Sequence, residues 1–124
     1  NAPRLYGARF SFVTPDLDIA RDGRRRWAEV KTKAKPDYTY LTRREEHGLP
    51  LRHFRHYLQI QKITGCKVWL FIVEENSGSV LWEAIDSLSS QQRVYPGEKM
   101  DRGGTIFFPR EAFRLFAQLR RCPE

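Results

Sequence analysis

The feature that most constrains the fold is a tight-turn signal, Asp22-Gly23, between two segments in which polar and apolar residues alternate. Asp-Gly is typical of two-residue hairpin turns, whose central residues take positive φ angles. We therefore expect one strand to end at Arg21 and an antiparallel strand to begin at Arg24. The turn also fixes the register, because each step away from Arg21 and Arg24 pairs the next residue on either side.

The predicted register separates apolar from charged side chains, since successive residues of a strand point to opposite faces. The apolar face carries Leu17, Ile19, Ala28 and Val30. The opposite face carries Asp16, Asp18, Glu29 and Lys31. Asp16 is expected directly across from Glu29, with Cβ atoms roughly 4.5–5.5 Å apart. Carboxylates this close repel each other unless they share a cation or pair with a base such as Lys31 or Arg25. The separation of the two faces favours a shared divalent cation.

The chain as a whole predicts one soluble domain spanning residues 1–124. A formal net charge of +7 favours a polyanionic partner, namely DNA, RNA or an anionic membrane surface, with solubility alone as the alternative explanation. The longest apolar run, Val68–Val73, is far shorter than the ~20 residues that cross a bilayer, so we expect no membrane partner. There is no secretory signal, and the two isolated cysteines, Cys66 and Cys122, are typical of reduced thiols, with one disulfide as the alternative. We therefore expect a cytoplasmic location.

Hydrophobic periodicity predicts six strands and two helices in the order β-β-β-α-β-β-β-α. The expected strands lie at 5–13, 16–21, 24–32, 67–73, 80–85 and 105–108, and the expected helices at 51–64 and 110–121. Gly65 is expected to end the first helix, and Pro109 to open the second. Residues 33–50 are expected to form a long loop. The fold class is therefore α/β, with a central mixed sheet flanked by helices.

The expected loop and the first helix contain a second group of candidate residues. Basic side chains occur in the same segment as Tyr38 and Tyr40, a combination that suits phosphate contacts and base stacking, although an ordinary polar loop is the alternative. The predicted nucleic-acid-binding set is Lys33, Lys35, Tyr38, Arg43, Arg44, Arg52 and Arg55. On the helix, the expected core stripe is Leu51, Phe54 and Leu58. The candidate supports of the active site, each with a structural alternative, are Asp18, His53, Tyr57 and Gln61.

Pro15-Asp16 and Glu29-Val30-Lys31, on the two strands of one predicted hairpin, resemble the signature of the PD-(D/E)xK nuclease superfamily. The order of a strand, a PD strand, an ExK strand, a helix and a buried strand over residues 5–75 is similar too. The resemblance implies a restriction-endonuclease-like core and a Mg²⁺ or Mn²⁺ ion held by Asp16, Glu29 and the carbonyl of Val30. It implies that Asp16, Glu29 and Lys31 are catalytic, with Lys31 orienting or deprotonating the attacking water and stabilising charge on the phosphate.

Two features depart from that family pattern. Members often carry an acidic residue on a helix before the first strand, and no such helix is expected upstream of Leu5. Either that helix is missing from this sequence or the site works without its acidic residue. In one exonuclease-like branch the helix after ExK carries Gln-x-x-x-Tyr, whereas the nearest match here is His53-x-x-x-Tyr57.

The expected activity is metal-dependent hydrolysis of DNA phosphodiesters by a structure-directed endonuclease, such as a junction resolvase or a repair nuclease. A homodimer would supply the two cuts that branched DNA requires, and no small-molecule cofactor is expected. A cytoplasmic location would apply to a bacterial cell or, for a phage-encoded chain, to its host. Two alternatives remain: a non-catalytic nucleic-acid-binding module on a nuclease-like sheet, and an RNA-processing nuclease.

Overall fold

The computed structural model describes residues 4–6, 11–13, 17–21, 24–88, 93–95 and 103–120, with backbone only for the strands before Arg26 and for residues 93–95. The strands are β1 (Arg4–Tyr6), β2 (Ser11–Val13), β3 (Leu17–Arg21), β4 (Arg24–Lys33), β5 (Asp37–Thr39), β6 (Arg44–Pro50), β7 (Val68–Glu74), β8 (Ser79–Ala84), β9 (Arg93–Tyr95), β10 (Thr105–Pro109) and β11 (Arg114–Gln118). The helices are α1 (Leu51–Thr64) and α2 (Ile85–Leu88), and one turn of 3-10 helix covers Arg110–Ala112.

The central sheet has five strands in the order β11-β8-β7-β4-β3. Strands β4 and β7 are parallel, and the other neighbouring pairs are antiparallel, so the sheet is mixed as predicted. The parallel pair requires a crossover, which contains β5, β6 and α1. A second sheet has the order β5-β6-β10-β9, and β1 pairs with β2. Within the described residues, no helix is long and apolar enough to cross a membrane.

The predicted hairpin register is confirmed for β3 and β4, where Leu17 pairs with Ala28 and Arg21 pairs with Arg24. The structure buries Glu29 of the charged face and leaves Val30 of the apolar face partly exposed, which the alternation of residue types alone does not predict. Helix α1 covers the face of β4 that carries Glu29, whereas Val30, on the apolar face, is 40% exposed. The reason is that β4 is an interior strand, and the adjacent β7 supplies the apolar side chains around Glu29, including Leu70 on the same rung.

Helix α1 has the predicted bounds and ends at Gly65, whose left-handed backbone, with φ 70°, lets its N–H donate to the carbonyl of Gln61. Its buried face differs from the expected stripe. Tyr57 and Ile60 are fully buried, and Leu58 packs only at the edge of the core. The helix contacts both sheets, with Phe54 against Phe108 of β10 at 5.5 Å between ring centroids. Contact on two sides widens the buried face to Leu51, Phe54, Tyr57 and Ile60.

Three predicted elements are wrong. Residues 33–50 are largely the β5–β6 hairpin rather than a loop, and the predicted strand 5–13 contains two short strands instead of one. The predicted helix 110–121 is a 3-10 turn followed by β11. Its apolar residues at helical spacing do not form a core stripe, because Leu115 and Leu119 are exposed. Strand β11 instead hydrogen-bonds along the edge of β8, and this tertiary pairing outweighs the local helical pattern.

Candidate active site

Glu29 is the buried carboxylate at the centre of the predicted site. It lies within β4, level with Leu70 of β7, and is 4% exposed. The hydroxyl of Tyr57, a fully buried residue of α1, donates a hydrogen bond to Oε2 of Glu29 at 3.0 Å. Because both side chains are buried and the ring of Tyr57 is packed in the core, this contact fixes the orientation of the carboxylate against the helix.

Lys31 follows Glu29 by two residues on the same strand, so its side chain leaves β4 on the same face. It is level with Ile72 of β7 and is half-buried. Val30, between them, directs its side chain to the opposite face, and only its backbone can serve the site. A carboxylate and an ammonium therefore occur on successive rungs of one face, as the ExK pattern requires.

The other predicted ligand, Asp16, lies outside the described residues. Its position across from Glu29 stays a prediction, although the paired register of β3 and β4 extends to Leu17 and Ala28. Asp18 pairs with Trp27 along the backbone, as predicted, and its side chain is not described. Among the residues whose side chains are described, no three His, Cys, Asp or Glu side chains cluster as metal ligands. Glu29 supplies the hard oxygen donor that suits Mg²⁺, so the donor chemistry fits the implied ion.

The remaining supports predicted on α1 have different contacts. Gln61 accepts a hydrogen bond from the backbone N–H of Val68 at 3.0 Å and donates one to Asp86 at 3.3 Å, which ties the end of the helix to β7 and α2. His53 lies beside Tyr57, with 6.2 Å between ring centroids. Tyr57 is therefore the predicted support that the structure brings into contact with Glu29.

The predicted nucleic-acid-binding residues divide into two groups. The first lies at the end of β4 and along the β5–β6 hairpin, and it consists of Lys33, Lys35, Tyr38, Arg43 and Arg44. The second consists of Arg52 and Arg55, which are exposed on α1. Within the first group, Lys33 pairs with Asp37 at 3.4 Å and Arg44 pairs with Glu46 at 2.9 Å, so these two cations are partly neutralised.

Sequence reasoning missed a buried ionic cluster next to the site. Glu74, at the end of β7, is level with Lys33, one rung of the same face beyond Lys31. It contacts Nε2 of His47 at 2.7 Å and accepts hydrogen bonds from Nε and Nη2 of Arg110. Burial would by itself raise the pKa of Glu74, but the hydrogen bonds and charge of Arg110, with the hydrogen bond of His47, hold that pKa below its usual range.

Because Glu74 is ionised, it can only accept, and His47 donates through Nε2. Nδ1 of His47 is buried and has no hydrogen-bond partner among the described residues. The sequence signals for this cluster are weak: one glutamate ends an apolar strand, and the histidine lies in a charged segment. The cluster joins β6, β7 and the 3-10 turn, so it holds the second sheet against the end of the central sheet.

No family model and no curated protein matches this sequence. Among solved structures, the fold is similar to that of Hjc from Archaeoglobus fulgidus, a Holliday junction resolvase from an archaeal hyperthermophile, with a TM-score of 0.54 and 12% sequence identity. The likeness covers 90% of this chain and 75% of that chain. At this identity the likeness concerns the fold alone, and it confirms the predicted restriction-endonuclease-like core.

Proposed function

Because this chain has the fold of a Holliday junction resolvase, we propose that it is a metal-dependent endonuclease that hydrolyses phosphodiester bonds in branched DNA. The observation that carries the proposal is Glu29, a buried carboxylate that Tyr57 orients one rung from Lys31 in the central sheet. Burial of a carboxylate costs free energy unless other groups stabilise it. A role in catalysis therefore explains the position of Glu29 next to a lysine better than a contribution to folding stability does.

In this proposal Asp16, Glu29 and the carbonyl of Val30 hold one Mg²⁺ or Mn²⁺ ion. The ion supplies Lewis acidity to the scissile phosphate when it is bound. Lys31 directs its ammonium towards the attacking water and the phosphate oxygens, where it orients the nucleophile and offsets negative charge. Tyr57 does not touch the substrate; it keeps Oε2 of Glu29 fixed, which limits the reorganisation that metal binding requires.

DNA binding is attributed to the net charge of +7 and to the two groups of basic side chains. Contacts of lysine and arginine with phosphates position a protein on DNA without reading its sequence. Binding of this kind is suited to selecting DNA by its shape. A homodimer would present two such sites to the two strands that are cut at a junction.

The proposal is tested by incubating the protein with supercoiled plasmid, linear duplex, single-stranded DNA, a four-way junction and RNA, in Mg²⁺ and in EDTA. We expect Mg²⁺-dependent cleavage of the junction. Glu29→Gln should reduce the rate by ~10²–10⁴-fold, the usual worth of a catalytic electrostatic group. Glu75→Gln, a matched change at an exposed glutamate of the β7–β8 turn, should cut as wild type does.

Three results would contradict the proposal. Cleavage by Glu29→Gln at the wild-type rate would remove Glu29 from the site. Tight DNA binding without cleavage of any substrate would favour the non-catalytic binding module. Cleavage of RNA in preference to every DNA would favour an RNA-processing nuclease.

A further inference from the structure

The turn between β5 and β6 carries an exposed apolar tip, defined here as Tyr38, Tyr40 and Leu41. Their side chains are 55%, 86% and 81% exposed, respectively. Large apolar side chains exposed together at one turn are unusual, because folding alone would favour polar residues there. None of the three side chains belongs to the hydrophobic core, so contact with another molecule explains their apolar character better than folding does.

The tip has a defined conformation. The backbone N–H of Arg43 donates to the carbonyl of Thr39 at 2.7 Å, which closes a five-residue turn, and Arg43 takes a left-handed φ of 54°. The rings of Tyr38 and Tyr40 meet edge to face, with 5.1 Å between their centroids. Each tyrosine therefore restricts the other, and less side-chain freedom is lost when a ligand binds.

The base of the hairpin is anchored by a buried carboxylate. Glu46 is fully buried and accepts hydrogen bonds from Oγ1 of Thr39 at 2.7 Å and from Nε of Arg44 at 2.9 Å. The next residue, His47, contacts Glu74 of the central sheet. The tip is thus connected through a short series of hydrogen bonds to the sheet that carries Glu29.

The tip is within reach of the candidate active site. The hairpin follows β4 directly, and Tyr40 comes seven residues after Lys33, the last residue of that strand. Even a fully extended chain of this length places the two Cα atoms at most ~25 Å apart. A DNA segment that is bound at Lys31 therefore passes close enough to meet the tip.

Charge identifies the kind of partner. Lys35 and Arg43 flank the apolar tip, are exposed, and have no ion-pair partner among the described residues. The two cations can bind phosphates, and the apolar tip beside them can stack on a flat apolar surface. Together they suit a ligand in which phosphates lie next to such surfaces. Nucleobases offer such surfaces where base stacking is interrupted, whereas in a continuous duplex they are covered by their neighbours.

We propose that Tyr40 and Leu41 stack on the base faces exposed at a DNA branch point, and that this contact makes the protein prefer branched over continuous DNA. The inference rests on the proposed function, since it names the structural feature of the substrate that the same enzyme recognises. Lys35 and Arg43 hold the adjoining phosphates, while Tyr38 supports the ring of Tyr40 from its edge.

The test measures binding by fluorescence anisotropy in Ca²⁺, with a forked duplex, a four-way junction and a continuous duplex of equal length. Tyr40→Ala should weaken binding to the two branched probes by about 5- to 150-fold, the range known for loss of one base–aromatic stack. Tyr40→Phe should bind the branched probes as wild type does, because the ring is kept. Ile63→Ala, which removes an exposed apolar side chain at the end of α1, should have no effect. A 2-aminopurine placed at the branch point should be quenched by wild type and not by Tyr40→Ala.

The outcomes separate this inference from the proposed function. Equal loss of affinity by Tyr40→Ala on branched and continuous DNA, or no loss on either, would overturn the stacking contact even if wild type cleaves junctions. Selective loss on branched DNA would uphold the contact even if no DNA is cleaved. Failure of wild type to bind any DNA would overturn both.

Discussion

Replacement of Tyr57 by phenylalanine tests the connection between the core and the candidate active site. The substitution removes one buried hydroxyl, which donates to Oε2 of Glu29 at 3.0 Å, and leaves the ring that fills the core. Removal of the donor to a buried acceptor costs ~1–3 kcal/mol, and Glu29 has little access to water that could replace the donor. We therefore expect the free energy of unfolding, measured by urea denaturation in EDTA, to fall by ~1–3 kcal/mol.

The same substitution should also weaken metal binding if Glu29 is a ligand. Loss of a hydrogen-bond partner behind a metal ligand typically lowers affinity by about 10- to 100-fold, and calorimetric titration of Mn²⁺ would measure this. Tyr40→Phe removes an exposed hydroxyl and serves as the matched control for both measurements. A Tyr57→Phe protein with wild-type stability would refute the hydrogen-bond argument, and one with wild-type Mn²⁺ affinity would refute the connection to a metal site.

Three further predictions concern the metal, the ionic cluster and DNA. Asp16→Asn should sharply reduce Mn²⁺ affinity in the same calorimetric titration, and equal affinity would exclude a site shared with Glu29. Because the folded-state pKa of Glu74 is lowered, its pairing stabilises the protein above the ordinary carboxyl pKa of 4.5 and this contribution disappears as pH falls through the folded value. Urea denaturation across pH should show that Glu74→Gln costs ~1.5–3 kcal/mol at pH 7 and progressively less as the pH falls below 4.5, and a cost independent of pH would contradict the pairing. DNA affinity should fall steeply between ~50 and ~200 mM salt, since a chain of net charge +7 displaces counterions from phosphates, and a flat dependence would contradict backbone recognition.

The predictable part of the fold is that in which local signals and tertiary contacts agree. Asp22-Gly23 fixes the register between β3 and β4 through the geometry of a two-residue turn, and no distant contact is needed. Gly65 ends α1 for an equally local reason, since it adopts a left-handed backbone. The sequence could therefore place Glu29 and Lys31 on one face before the structure was known.

Elements that depend on distant residues could not be predicted. In the sequence, Glu46 and His47 of β6 look like surface residues. In the structure both are buried, with Arg44 as a hydrogen-bond partner of Glu46 and Glu74 as that of His47. Strand β11 has helical spacing of apolar residues but is formed by pairing with β8, a long-range contact that periodicity does not report. Tyr57 was not part of the expected core stripe of the helix, because the contact of α1 with a second sheet was not visible in the sequence.

The most direct test of the central claim, that Glu29 and Lys31 form part of a DNA-cleaving site, is single-turnover cleavage of a four-way junction in Mg²⁺ by wild type, Lys31→Ala and Lys67→Ala. Lys67 is an exposed lysine just before β7 and serves as the matched control for loss of one positive charge. We expect Lys31→Ala to fold normally, to bind the junction in Ca²⁺ with modestly reduced affinity, and to cleave ~10²–10⁴-fold more slowly, while Lys67→Ala cleaves as wild type does. Cleavage by Lys31→Ala within a few-fold of wild type would contradict the account.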